Sequence, residues 1–168
     1  MITTDRLEII PLSHSQLVAY TSPDQLEKLL GLTENGRTVS ERITAKIISE
    51  ILPKIVTEKQ SNLFDTFWII VLKPINTITA EFCFKGEPNG DGVVTIGYAT
   101  GKEFQNAGIM TEAIQAITSW VFKHTTTRII TATTDPTNYS SHRVLEKNRF
   151  VVKQENPDNW IWELEKCN

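Results

Sequence analysis

The hydrophobic positions of the chain fall into short blocks that alternate with polar residues and end at turn residues. This pattern predicts strands at residues 6–12, 64–72, 77–85, Val93–Thr100, 128–134, 150–154 and Trp160–Glu165. The links joining the second, third and fourth of these segments are short, which predicts an antiparallel meander.

Other blocks carry apolar residues at helical spacing and predict helices over residues 13–20, 23–30, 40–60, 108–124 and 138–148. Pro53 falls inside the third pattern, so we expect that helix to break or kink there. The fourth helix connects strands Val93–Thr100 and 128–134 in a right-handed β-α-β crossover, which makes those strands parallel or splayed neighbours. The prediction is an α/β fold with a mixed, mostly antiparallel sheet.

Composition narrows the class of protein. The chain has 168 residues and a net charge of -3, which favours one domain over residues 1–168 and gives no basic field for nucleic acid. It has no apolar run of membrane-spanning length, and its start lacks the features of a signal peptide, so we expect a cytoplasmic protein. Cys83 and Cys167 lack the spacing of a metal or redox motif, so no metal is predicted.

Gly97 interrupts the strand Val93–Thr100. A glycine inside a strand marks a bulge or a close approach of the backbone to another group. A bulge that parted this strand from its neighbour would free edge N–H and C=O groups for an extended ligand with amides, such as pantetheine. The alternative is that Gly97 relieves packing against an aromatic side chain.

The loop that opens the helix 108–124 follows directly after this strand. Unpaired N–H groups and the positive end of a helix attract anions, and Gly108 permits close approach. The loop therefore fits a pyrophosphate, although an ordinary turn before a core helix remains open. One strand later Asn138 is placed to cap a helix, with Ser141 at its third position. An amide there can bind a pantetheine carbonyl and a hydroxyl can donate to a leaving thiolate; pure capping is the alternative.

Together these stretches resemble the GNAT superfamily of acyl-CoA-dependent N-acetyltransferases, in the branch with the ribosomal-protein N-terminal acetyltransferases. The resemblance lies in residues 4–12, 96–98 with 104–113, and 138–150. It implies a GNAT-like sheet with a β-α-β acyl-CoA-binding core, splayed central strands and flanking helices. It also implies that acetyl-CoA is held by Ile96, Gly97, Tyr98, Gln105, Asn106, Ala107, Gly108, Ile109, Met110, Thr111, Asn138 and Ser141.

The resemblance implies direct attack of a primary amine on the thioester, with no acyl-enzyme. Ser141 is the candidate acid and Glu81 a candidate base, beside His14 and His142 or a water chain, while His124 fits a helix C-terminus. Three positions depart from the family pattern. Met110 replaces a small residue, which favours an altered loop or weaker coenzyme binding, Thr95 replaces a glutamate, and Arg149 replaces a glycine.

Three functions therefore remain open. The first is an N-acetyltransferase acting on a protein N-terminus or a small amine, as a monomer or homodimer without nucleic-acid or membrane partners. The second is an acyl-CoA-binding or sensing module with little or no activity. The third is an interaction protein whose motifs are only caps and turns.

Overall fold

The strands of the sheet lie close to their predicted places. The computed structural model describes residues 1–55 and 63–167. The strands are β1 (Ile2–Thr3), β2 (Leu7–Pro11), β3 (Phe67–Leu72), β4 (Thr77–Phe84), β5 (Val93–Thr100), β6 (Ile129–Thr134), β7 (Val151–Glu155) and β8 (Trp160–Glu165). Only β1 has no counterpart among the predictions, because a two-residue strand is too short to show a period.

The helices are α1 (His14–Tyr20), α2 (Gln25–Leu30), α3 (Glu41–Lys46), α4 (Ile109–His124) and α5 (Tyr139–Lys147). Helix α3 continues as a π-helical turn over Ile47–Ile51, so the helical segment ends before Pro53, as the proline predicts. Residues 56–60 of the predicted helix lie outside the described residues. No helix in the described ranges is long and apolar enough to cross a bilayer.

The strands form one sheet in the order β1-β2-β3-β4-β5-β6-β8-β7. Strands β5 and β6 pair in parallel, and α4 connects them as the predicted crossover. Every other neighbouring pair of this sheet is antiparallel. The mixed, mostly antiparallel sheet is confirmed.

Two apolar clusters pack on opposite faces of the sheet, because successive strand residues point to opposite sides. One cluster joins α4 and α5 to the sheet, through residues such as Ile114, Leu145 and Ile96. The other joins α1, α2 and the segment around Ile47 to β3 and β4. The sheet therefore has a face covered by α4 and α5 and a face covered by α1–α3.

Candidate functional site

Strands β5 and β6 part midway along their length. Their pairing runs from Val93 opposite Ile129 to Ile96 opposite Ala132. Beyond this point β5 stays paired with β4 and β6 stays paired with β8, up to Thr100 and Thr134. The predicted splay is thus present, and it leaves the edge of β5 from Gly97 onward without a β6 partner.

The bulge expected at Gly97 is wrong. The register between β4 and β5 is regular through Gly97, and the irregularity of this region lies between β3 and β4, at Ile70 and Val71. The strands part because β5 follows one half of the sheet and β6 the other. The packing alternative is wrong as well, since the atoms nearest a Cβ at Gly97 belong to Lys85, at 3.8 Å, and Cys83, at 4.0 Å, and neither is aromatic.

The loop before α4 has the open geometry of an anion site. Asn106 and Gly108 adopt positive φ values of 62° and 75°. Gly108 is the N-cap residue of α4 and supplies no side-chain cap, so the first-turn N–H groups face outward with the positive end of a sixteen-residue helix behind them. This arrangement suits a phosphate group.

A polar clamp ties this loop to the start of the chain. The Arg6 Nε donates to Glu112 Oε2 at 2.7 Å, and its Nη1 donates to the carbonyl of Ala107 at 3.2 Å. The Thr4 hydroxyl donates to Glu112 Oε1 at 2.6 Å. Partial burial raises the pKa of Glu112, but the hydrogen bonds from Thr4 and Arg6 and the charge of Arg6 outweigh it and lower the pKa below its ordinary value. This clamp was not predicted from the sequence. The only sequence feature that pointed to it is that Arg6 and Glu112 both lie in stretches that resemble the family.

Asn138 caps α5 as predicted, and among the described residues its amide nitrogen remains free to donate a hydrogen bond. Its Oδ1 accepts hydrogen bonds from the Ser141 N–H at 3.1 Å and from the Ser140 hydroxyl at 2.9 Å. Its Nδ2 has no hydrogen-bond partner within the described part of the chain. Capping therefore uses one atom of the amide and leaves the other available, so the capping role does not exclude ligand binding.

These elements enclose a cleft of about 390 Å³ between α4 and α5, which we call the α4/α5 cleft. It is lined by most of the predicted coenzyme residues, namely Tyr98, Gln105, Asn106, Gly108, Ile109, Met110, Thr111, Asn138 and Ser141. Ala107 lies in the same loop but outside this lining, while Ile96 and Gly97 belong to the strand below it. Arg143 and Lys147 of α5 add cationic groups that the sequence analysis did not select.

Met110 does not close the cleft. Its side chain is only 5% exposed because it packs into the core between α4 and the sheet. The bulk of Met110 therefore does not force the altered loop that was expected from this departure from the family pattern. Thr95 also has a structural role, since its hydroxyl lies 2.8 Å from that of Thr131 across the paired part of β5 and β6.

Glu81 lies on the other face of the sheet, at the junction of two adjoining pockets of about 380 and 220 Å³. We call these pockets together the Glu81 cleft. They meet the α4/α5 cleft at β5, because Tyr98 and Ala99 line pockets on both faces. The gap in the sheet thus connects a cleft built from loops and helix ends to one that contains a carboxylate.

Buried polar groups surround this carboxylate. The hydroxyl of Tyr20 donates to Glu81 Oε2. Burial raises the pKa of Glu81, while this hydrogen bond and the charge of Arg37 oppose the rise. On the opposite face, burial raises the pKa of Tyr98 to about 12, and its hydroxyl lies 3.4 Å from the Ser141 carbonyl. Tyr98 is therefore a protonated phenol at neutral pH.

The other proposed bases lie elsewhere. Within residues 1–55 and 63–167, which contain all three histidines, none of them lines the α4/α5 cleft or the Glu81 cleft. His142 stacks on Trp160 with ring centroids 4.6 Å apart, and its Nε2 lies 3.1 Å from the Asp135 carbonyl. His124 lies at the C-terminal end of α4 beside Trp120. Of the side chains named as candidate bases, only Glu81 lines one of these clefts.

Comparison with known proteins agrees with this architecture. Residues 6–151 match the model of the acetyltransferase (GNAT) domain. The chain belongs to the GNAT acetyltransferase family. It is 30% identical, over 167 residues, to the uncharacterised N-acetyltransferase YjdG of Bacillus subtilis (strain 168), a match covering 96% of this chain and 97% of that protein.

Solved GNAT structures share the fold. The ribosomal-protein-S5-alanine acetyltransferase of Vibrio fischeri superposes with a TM-score of 0.71 at 20% identity, covering 97% of this chain and 94% of that one. RimL, a ribosomal L7/L12 alpha-N-protein acetyltransferase in complex with coenzyme A, gives 0.69 at 18% identity, covering 96% and 95%. GNAT enzymes use acetyl-CoA, so this protein is an acetyl-CoA-dependent N-acetyltransferase.

Proposed function

We propose that this GNAT enzyme transfers the acetyl group of acetyl-CoA to a primary amine by direct attack in a ternary complex. The observation that carries the proposal is the meeting of two clefts at the gap between β5 and β6. Acetyl-CoA enters from the α4/α5 cleft and the amine from the Glu81 cleft. Two substrates on opposite faces react without an acyl-enzyme, because the gap brings them into contact.

The coenzyme residues fit their assigned roles. The first-turn N–H groups of α4 and the loop before it, at residues 105–111, would bind the pyrophosphate. The edge of β5 at Ile96, Gly97 and Tyr98, where the pairing with β6 ends, would bind the pantetheine amides as a strand binds a peptide. The free Nδ2 of Asn138 would donate to a pantetheine carbonyl.

Proton transfer divides between the two faces. Glu81 takes one proton from the incoming ammonium group and passes it to solvent, which leaves a neutral amine to attack the thioester carbon. As the carbon–sulfur bond breaks, the hydroxyl of Ser141 donates its proton to the leaving thiolate and takes the second proton of the nitrogen in its place. A backbone N–H of β5 stabilises the oxyanion between these steps. The products are an N-acetyl amine and coenzyme A as a free thiol.

The acceptor that we propose is a protein N-terminus or a small amine. Two structural neighbours act, by their names, on ribosomal proteins. The Glu81 cleft opens on solvent at the exposed Arg42 and the half-buried Lys46 of α3. A flexible N-terminal peptide can enter such a cleft with its first residue at the gap.

A two-step experiment tests the proposal. Coenzyme A should raise the melting temperature, since a ligand that binds only the folded state stabilises it. Thiol release from acetyl-CoA should then depend on one member of a panel of peptides and small amines, with the acetylated product seen by mass spectrometry. Stabilisation without turnover on any amine would favour an acyl-CoA-binding module. The absence of stabilisation would contradict the coenzyme site itself.

A further inference from the structure

We propose that Tyr20 is a positioning residue for Glu81, holding one carboxylate oxygen so that the other receives the proton of the acceptor amine. The inference rests on the proposed function, in which Glu81 is the base. It adds a residue that lies on a different element, α1, and lines neither pocket of the Glu81 cleft. Tyr20 acts through Glu81 and does not touch the reacting atoms.

The geometry separates Tyr20 from an ordinary core tyrosine. Its side chain is completely buried, with its ring 6.0 Å from that of Phe67. A buried hydroxyl needs a partner, and the Tyr20 hydroxyl takes Glu81 Oε2, the side chain that lines the cleft. Hydrogen bonds to an ionised group are stronger than neutral ones, so this contact orients the carboxylate and favours its charged form.

A buried ion pair holds Tyr20 in turn. The Arg37 guanidinium carbon lies 4.3 Å from the centre of the Tyr20 ring, and its Nη2 donates to the Tyr20 carbonyl at 3.4 Å. The Arg37 Nε donates to Glu27 Oε1 at 2.8 Å, and Glu27 is completely buried. Burying two charges is costly unless both are well paired. Here the pair fixes the aromatic ring that carries the hydroxyl to Glu81.

The charged and polar groups around Glu81 determine in which direction its pKa should change in the variants. Tyr20 of α1 and Arg37, itself paired with Glu27 of α2, both lower the pKa of Glu81 against the effect of burial. Arg42 and Lys46 of α3 line the smaller pocket of the Glu81 cleft and carry positive charges. Cys83 lines the same pocket and is the next residue after Glu81 on this face of β4. Lys102 and Glu103 line the larger pocket. Removing the Tyr20 hydroxyl deletes one stabiliser of the carboxylate and leaves these other groups in place.

The decisive variant is Tyr20→Phe, which keeps the ring and removes the hydroxyl. The acidic limb of the profile of kcat/KM against pH should move to higher pH, because the Glu81 carboxyl then keeps its proton to a higher pH. At neutral pH we expect kcat/KM to fall about tenfold, with recovery as the pH rises. Stabilisation by coenzyme A should equal that of the wild type, since Tyr20 is on the other face.

Two comparisons separate this role from packing. Tyr139→Phe removes a hydroxyl from an exposed tyrosine outside both clefts and should leave the pH profile unchanged. The double variant Glu27→Gln with Arg37→Gln removes both buried charges together, keeps the Tyr20 hydroxyl, and should also move the acidic limb upward. A loss of activity that is the same at every pH in Tyr20→Phe would overturn the proposal.

A direct titration completes the test without any acceptor. In protein labelled with carbon-13 at the glutamate carboxyls, the Glu81 signal is identified by its absence in Glu81→Gln. Its midpoint should be higher in Tyr20→Phe than in the wild type, and an unchanged midpoint would overturn the inference. If Glu81→Gln keeps full activity, the proposed base is wrong. If Glu81→Gln is inactive but Tyr20→Phe has an unshifted profile, only the role of Tyr20 is wrong.

Discussion

The α4/α5 cleft and the Glu81 cleft meet at one gap but are built differently. The first consists mainly of backbone groups, namely a helix N-terminus, a loop with positive φ values and a free strand edge. In the second, the Glu81 carboxylate is supported by side chains from three other segments, Tyr20, Arg37 and Glu27, which are joined by hydrogen bonds and one ion pair. A backbone site tolerates side-chain changes, whereas a site of coupled side chains is sensitive to each of them.

The largest expected effect comes from Glu81→Gln, which keeps the size of the side chain and removes its charge. We expect kcat/KM to fall by roughly 100-fold or more, because general base catalysis contributes about that much. Coenzyme A should still stabilise the variant as it does the wild type. Steady-state kinetics and thermal shifts measured in parallel would check this. A matching loss of coenzyme binding would contradict the assignment of coenzyme binding and base catalysis to separate clefts.

Asn138→Ala tests the side chain that we propose to bind pantetheine in the α4/α5 cleft. The KM for acetyl-CoA should rise about tenfold from the lost hydrogen bond, while the lost cap costs about 1 kcal/mol of stability. Ser13→Ala is the matched control, because Ser13 caps α1 away from this cleft. It should lower the melting temperature similarly and leave the KM unchanged. If the two variants lose the same stability and show the same change in KM, Asn138 acts only as a helix cap.

Arg6→Gln should loosen the loop of the α4/α5 cleft. We expect the KM for acetyl-CoA to rise about two- to fivefold with kcat nearly unchanged, a small effect because the Arg6 side chain is 46% exposed and its pairing is screened by solvent. Lys153→Gln removes comparable surface pairs with Glu163 and Glu165 on the distal strands. That control should not change the KM, and a rise in it would mean that the Arg6 effect is general electrostatics.

Arg149→Gly should change stability alone. Arg149 follows α5 with a φ of 64°, a left-handed conformation that costs a residue with a side chain about 1 kcal/mol. Chemical denaturation should therefore show a gain of roughly 1 kcal/mol with unaltered kinetics. Glu146→Gly, inside the same helix, should instead lose a similar amount. A change in kcat for Arg149→Gly would link the end of α5 to the chemistry.

The contrast between the clefts also explains what could be predicted. Gly108, Asn138 and the period of β5 are local signals, because turn geometry, capping and strand alternation depend on neighbouring residues. The elements and the splay followed from them, together with the family resemblance. The bulge at Gly97 was wrong because strand pairing depends on both neighbours of β5, and one sequence segment does not contain them.

The contacts around Glu81 depend on residues far apart in the chain. Tyr20 and Glu81 are separated by 61 positions, and Arg6 and Glu112 by 106. No period or spacing connects such pairs, and Tyr20 has the position of an ordinary apolar residue on α1.

The sequence alone therefore determined the order of elements, the mixed sheet and the backbone groups at the start of α4, since these follow from short-range sterics and hydrophobic periodicity. Only the tertiary structure decided that Tyr20 and Arg37 lie close to Glu81, with Glu27 paired to Arg37, and that the histidines lie outside both clefts. Burial and charge pairing arise when distant segments pack together, and they set both the protonation and the orientation of the candidate base.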